Sequence, residues 1–178
     1  PVTGSIFMNL AANMLGLDVG MFYKRRDYTK IVDGKNPIVA HEFLGTSVEG
    51  KDVIIVDDMI ASGDSVIDVA KQLKARKARK VFVCASFGLF TKGMGVFDKA
   101  VEEGLIDRIL TTNAIYQSPE TLSRSYYVSV DLSKYIALLI DTMNHDTTIE
   151  PLLSPTDRIQ RRLAEYKERQ RKEREEQK

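Results

Sequence analysis

Two adjacent carboxylates, Asp57 and Asp58, directly follow four apolar residues, Val53-Ile54-Ile55-Val56; after Met59-Ile60 comes the small, polar run Ala61-Ser62-Gly63-Asp64-Ser65. Ionised carboxylates are acceptors suited to two neighbouring ribose hydroxyls, or to water on a magnesium ion. The main-chain N–H groups of Ser62, Gly63, Asp64 and Ser65 would open a helix running from Val66 to Arg76. They have no intrahelical carbonyl to bond and can converge on a phosphate, helped by the positive end of the helix dipole. Gly63 permits a φ that other residues resist and a close approach to the backbone, while Ser62 and Ser65 add hydroxyl donors. Asp, Ser and Gly at such a junction also serve simply as turn formers and caps. A structural turn needs only one cap, however, and paired acids repel, so the Asp-Asp pair favours a sugar-phosphate site. Asp64 is an acid within the anion cradle, which the cradle tolerates if its side chain turns outward.

A second group is cationic. Met21-Phe22-Tyr23 leads into Lys24-Arg25-Arg26, and Tyr28 to Asn36 is polar and contains Gly34, the composition of a mobile loop. Three adjacent cations are by themselves an ordinary solvated cluster. At a strand end before a loop that can close, they suit a reaction in which negative charge builds on transferring phosphates.

The elements that must position these residues follow an α/β alternation. The apolar run Val53 to Val56 suits a strand covered on both faces, and ligands of open α/β sheets collect beyond the carboxyl ends of such strands. Helices are expected over Ile6 to Leu15, closed by Gly16, and over Val66 to Arg76, with Val66, Val69, Ala70 and Leu73 on one face. Two more are expected over Val96 to Glu103, closed by Gly104, and over Leu132 to Met143. Strands are expected over Ile38 to Leu44, Val81 to Phe87, Arg108 to Thr112 and Tyr126 to Val130. Ser154-Pro155-Thr156-Asp157 is a helix start. Ile159, Leu163 and Tyr166 form a narrow stripe after it, and beyond Tyr166 nearly every residue is charged or Gln, the composition of a solvated helix fraying into disorder.

The stretch around Asp57 resembles the phosphoribosyl-diphosphate binding motif of type I phosphoribosyltransferase folds, with Ala61 standing where that family usually has Asp or Thr. That resemblance implies an α/β fold with a mostly parallel sheet flanked by helices. Further segments resemble ribose-phosphate pyrophosphokinase in particular. Lys24-Arg25-Arg26 is similar to its catalytic Lys-Arg-Arg segment, and Ser86-Phe87-Gly88-Leu89-Phe90 to its Thr-His-Gly-Leu-Phe segment. Thr111-Thr112-Asn113-Ala114-Ile115 and Asn144-His145 fall where it has Thr-Asn-Thr-Ile and a His-Asn pair. The resemblance runs from about Gly16 to Leu153, within a catalytic domain expected over residues 1–153, followed by a charged helix or tail over 154–178.

What the resemblance implies is magnesium-dependent transfer of diphosphate from ATP to ribose 5-phosphate, giving AMP and phosphoribosyl diphosphate. By matching position, Lys24 and Arg26 are the catalytic residues, Lys24 stabilising the diphosphoryl transition state. Asp57, Ala61, Ser62, Gly63, Asp64 and Ser65 are the ribose 5-phosphate residues, and Asp58 serves the magnesium shell. The family has two similar domains and assembles as dimers within hexamers. The chain covers most of the second domain, so ATP recognition is expected to need the other domain and a neighbouring subunit. Val2 stands where the family has a metal-binding Asp, and the fragment alone is expected to be inactive. A free-standing phosphoribosyltransferase and a non-catalytic regulatory subunit are the alternatives.

Composition sets outer bounds. At 178 residues the chain is one domain by size, with 43% apolar and 29% charged residues, an ordinary balance for a globular protein. A net charge of +1 offers no bulk attraction for nucleic acid or membrane. No apolar run reaches the length of a membrane span and nothing at the start resembles a signal peptide, so a cytoplasmic protein is expected. Cys84, alone in an apolar strand, is read as a structural thiol. His41 and His145 lack the companions of a zinc site, and His145 suits capping of helix carbonyls.

Overall fold

A computed structural model describes residues 12, 13, 15–26, 38–149, 152 and 156–176, with only the main chain for residues 23–26, 38–42 and 176. The chain divides into two compact units, one holding Asp18–Asp131 and the other Leu10–Leu17 with Leu132–Lys178.

The first unit is built on a parallel sheet. Its strands β3 (Val53–Ile60), β4 (Val81–Gly88), β5 (Arg108–Thr112) and β6 (Tyr127–Val130) stand in that order. Helix α1 (Asp64–Ala75) follows β3 and α2 (Gly95–Glu102) follows β4, so each parallel step has its crossover helix; a four-residue helix α3 (Pro119–Leu122) precedes β6. The register sets Val53 against Val81 and Ile55 against Val83, and Val83 against Ile109. Those residues share the face on which the helices pack. Val81, Val83 and Ile109 are fully buried there with Val66, Ala70 and Leu73 of α1 and Phe97 and Ala100 of α2. Burying Phe97 is worth about 1.5–3 kcal/mol. Helix α1 ends where expected, through Arg76 and Ala78 N–H groups donating to Leu73 O, with Lys77 at φ 62 in the left-handed position.

The other face departs from the expectation for Val53 to Val56. Ile54 and Val56 are 48% and 51% exposed. Of the described strands in this sheet β3 is at an edge, and within this unit the helices cover only the face of Ile55. A run of four apolar residues therefore does not prove two covered faces. The strand also continues through both acids to Ile60, which is buried.

Beside the sheet stands an antiparallel ribbon, β1 (Met21–Arg26) with β2 (Ile38–Leu44), pairing Lys24 with His41 and Arg26 with Ile38. Phe22 and Phe43 pack at its root with ring centroids 4.9 Å apart, and the Arg76 guanidinium of α1 lies 5.5 and 5.7 Å from the two rings. Tyr28 to Asn36, expected as a loop, lies outside the described residues.

In the second unit, the helical residues before Gly16 close as expected: Gly16 has φ 65 and Leu17 N–H donates to Ala12 O. Helix α4 (Ser133–Asn144) is capped by His145, whose Nδ1 lies 2.9 Å from Asp141 O. Helix α5 (Thr156–Glu176) starts within the expected Ser154-Pro155-Thr156-Asp157 segment. It does not fray beyond Tyr166 but continues to Glu176, with ion pairs Arg162–Glu165, Lys172–Glu168 and Arg171–Glu175 along it. Such exposed pairs add only a few tenths of a kcal/mol each, about 0.2–0.5. Among the described residues no helix is long and apolar enough to cross a membrane.

Candidate functional site

The carboxyl ends of β3, β4 and β5 converge on one rim, and three segments singled out in the sequence meet there. Past Ile60, the chain turns through Ala61-Ser62-Gly63 into α1. Leu89 and Phe90 N–H groups donate to Ile60 O at 2.8 and 3.3 Å, and Thr91 N–H to Ala61 O at 2.9 Å. The Ser86–Phe90 segment is thus pinned beside the small-residue loop. From the β5 side, Thr112 Oγ1 donates to Ser86 O at 2.6 Å, and the nearly buried Gln117 donates from Nε2 to Gly88 O at 2.8 Å. Asn113 Nδ2 donates to Asp131 Oδ1 at 2.7 Å, tying the ends of β5 and β6.

The loop itself is forced by packing. Gly63 has φ 88, and a Cβ placed on it would lie 2.3 Å from Phe97 Cζ. Both the backbone angle and the space demand glycine. Phe97 is in turn braced by Phe90, whose ring stands edge-on at 5.4 Å and which itself takes φ 46. The core therefore moulds the loop from beneath. Above it, no side chain caps α1. Among the described residues the N–H groups of Ser62, Gly63 and Ser65 donate to no protein acceptor, and that of Asp64 reaches only Ser62 Oγ at 3.4 Å. Main-chain donors at a helix start with the dipole behind them form an anion site.

Asp64 does turn away from the amides, though not to cap the helix. Its Oδ2 accepts from Lys92 Nζ at 2.7 Å and from Ser62 Oγ at 3.0 Å. The sequence reading missed Lys92. The available signal was an acid out of place in an anion cradle, which calls for a cation nearby. Gln117 left no comparable signal, because its role depends on a carbonyl 29 residues away.

Asp57 and Asp58 stand at the same rim, both exposed. Strand alternation sets Asp57 on the side of Ile55 and Asp58 on that of Val56, so they address different neighbours. Asp57 Oδ1 accepts from Asp58 N–H at 2.9 Å. Partial burial first, and then the adjoining Asp58, hold the Asp57 carboxyl above the usual carboxylate range. A cation or hydroxyl donors arriving there would favour the ionised form. Among the described residues no cluster of three or more His, Cys, Asp or Glu is poised to hold a metal. The Asp57–Asp58 pair fits magnesium in another way: that ion commonly takes one or two protein carboxylates and completes its octahedron with water and substrate phosphates.

Lys24 and Arg26 lie on β1, and their side chains are outside the described residues, as is Val2. Cys84 lies half-buried in β4 and its thiol is pushed up by burial, which suits a structural role.

Comparison with known proteins bears on this rim. The phosphoribosyl synthetase-associated domain family matches residues 29–153. A ribose-phosphate pyrophosphokinase of Vibrio cholerae is 28% identical over 152 residues, covering 85% of this chain and 45% of that protein. One from Mycoplasma pneumoniae is 38% identical over 110 residues, covering 61% of this chain and 31% of that protein. The fold is similar to that of a phosphoribosylpyrophosphate synthetase from Mycobacterium smegmatis, with a TM-score of 0.63 and 16% identity over 80% of this chain and 42% of that one. The chain thus spans less than half the length of these relatives.

Proposed function

The chain belongs to the phosphoribosyl synthetase-associated domain family, and we propose that it is the ribose 5-phosphate-binding part of a ribose-phosphate pyrophosphokinase. One observation carries this reading: the uncommitted amides of Ser62, Gly63 and Ser65 lie one turn past the paired acids Asp57 and Asp58. A phosphate monoester and a pentose need that combination of donors and acceptors side by side.

In this proposal the loop from Ala61 to Ser65 holds the 5-phosphate and fixes the sugar's position. Asp57 accepts from ribose hydroxyls. Asp58 serves the shell of a magnesium ion, which supplies charge neutralisation for the phosphates when bound. The anomeric oxygen bonds to the β-phosphorus of ATP, the bond from that phosphorus to the bridging oxygen breaks, and AMP leaves. Lys24 faces the negative charge that accumulates on the transferring group, and Arg26 steadies the phosphates. Positioning and charge stabilisation supply most of phosphoryl-transfer catalysis. ATP recognition is assigned to the part of the relatives' length that this chain does not span, in a cytoplasmic homo-oligomer.

The test uses the full-length parent with magnesium, ATP and ribose 5-phosphate. Release of AMP together with a phosphoribosyl diphosphate product supports the proposal. Release of pyrophosphate from phosphoribosyl diphosphate and a free base, without AMP formation from ATP, would instead identify a phosphoribosyltransferase. Binding of ribose 5-phosphate with neither turnover would identify a non-catalytic subunit.

A further inference from the structure

We propose that Lys92 is a positioning residue of the phosphate loop, acting through Asp64, and that the pair sets the chain's affinity for phosphorylated over unphosphorylated pentose. The inference rests on the reading of the Ala61–Ser65 loop as the 5-phosphate site.

Asp64 is the first residue of α1 and sits among the donors of the loop. A bare carboxylate there opposes a second anion. The structure places Lys92 Nζ 2.7 Å from Asp64 Oδ2, from a turn whose register is set elsewhere: Thr91 N–H is bound to Ala61 O, and Gly93, at φ 72, donates its N–H to Phe90 O at 2.7 Å. The same Oδ2 accepts from Ser62 Oγ at 3.0 Å. Asp64 thus gathers one loop hydroxyl and one ammonium onto a single oxygen. The ammonium carries three donors, so its contact with Asp64 leaves donors for an arriving phosphate oxygen.

Two consequences separate this from a surface ion pair. Lys92 and Asp64 are 53% and 63% exposed, a setting in which a salt bridge contributes little stability. Removing Lys92 therefore leaves the fold intact, but exposes the incoming phosphate to the Asp64 charge. The effect belongs to the phosphate alone, because ribose carries no charge for Asp64 to oppose.

The experiment measures ribose 5-phosphate and ribose binding by titration calorimetry on this chain and three variants: K92M, D64N and the double variant. Expected are unchanged thermal stability and, in K92M, a loss of ribose 5-phosphate affinity of about tenfold that shrinks at high salt. Weak ribose binding should not change. In the double variant, affinity should return to within about threefold of the parent, since the opposing charge is gone. K92M binding as tightly as the parent, or a double variant no better than K92M, overturns the inference while leaving the loop assignment intact. A parent chain that binds no ribose 5-phosphate overturns the loop assignment itself.

Discussion

Two strand-to-helix junctions in the first unit use nearly the same residue types and resolve them in opposite ways. Before α3, Ser118 takes an extended conformation, its Oγ accepts from Thr121 N–H at 3.2 Å, and Pro119 follows at the first helical position. That is a helix start satisfied by its own side chain. Before α1, Ser62 turns its hydroxyl onto Asp64, Gly63 takes a left-handed angle that Phe97 enforces from below, and no side chain caps the helix. One junction consumes its donors internally. The other is held open by a buried aromatic pair and keeps its amides for something outside the protein.

Substitutions at the two junctions should behave in opposite ways, and the largest effect falls on Gly63. Gly63→Ala must accommodate a Cβ 2.3 Å from Phe97 and an unfavourable φ, costing about 2–4 kcal/mol of stability by overpacking and backbone strain. Chemical denaturation should show it as a lowered midpoint with an unchanged slope. An unchanged midpoint would mean that Phe97 does not support the loop.

Asp57→Asn should lower ribose 5-phosphate affinity by about tenfold to a hundredfold, the worth of hydrogen bonds to a charged acceptor. Its stability effect should run the other way. Burial holds the Asp57 carboxyl up, so the native chain keeps a proton that the unfolded chain has released. Stability attributable to this group is fully present at pH below its unfolded pKa. It falls as pH rises through the folded pKa, and stays lower above it. The ligand-free variant should therefore match the parent in acid and melt slightly higher at neutral pH. A variant that melts lower at neutral pH would show the acid to be structural.

Ser118→Ala should cost about 1 kcal/mol through loss of its cap and leave ribose 5-phosphate affinity alone. Ser62→Ala should do the reverse, with little change in melting and affinity several-fold weaker from loss of one donor. If both serines lose stability and neither loses affinity, the two junctions are the same kind of cap. On the ribbon, Lys24→Ala should sharply reduce AMP formation by the full-length parent while leaving this chain's ribose 5-phosphate affinity unchanged.

The sequence carried the chemistry of the open junction further than its setting. Acids after an apolar strand, and small residues before a periodic helix, are local patterns, so the order of β3, loop and α1 was legible from them. Gly63 was read correctly as a residue needing freedom, but for closeness to a ligand. The structure adds Phe97, 34 positions later, which no local pattern could reveal. The two-sided burial expected for Val53 to Val56 failed for a related reason. Ile54 and Ile55 are equally apolar, and only the sheet order shows which of them meets a helix. Lys92 was missed because exposed lysines in turns are commonplace; only its distance to Asp64 distinguishes it. The expected fraying beyond Tyr166 followed from composition alone, which underweights i,i+4 pairs along a charged helix.

Amide chemical shifts reach the central claim most directly. In a ¹⁵N-resolved titration of this chain with ribose 5-phosphate, the resonances of Ser62, Gly63 and Ser65 should move furthest and saturate together, while Thr121 at the self-capped helix stays still. Shifts confined to other parts of the chain, or none at saturating ligand, would contradict the account.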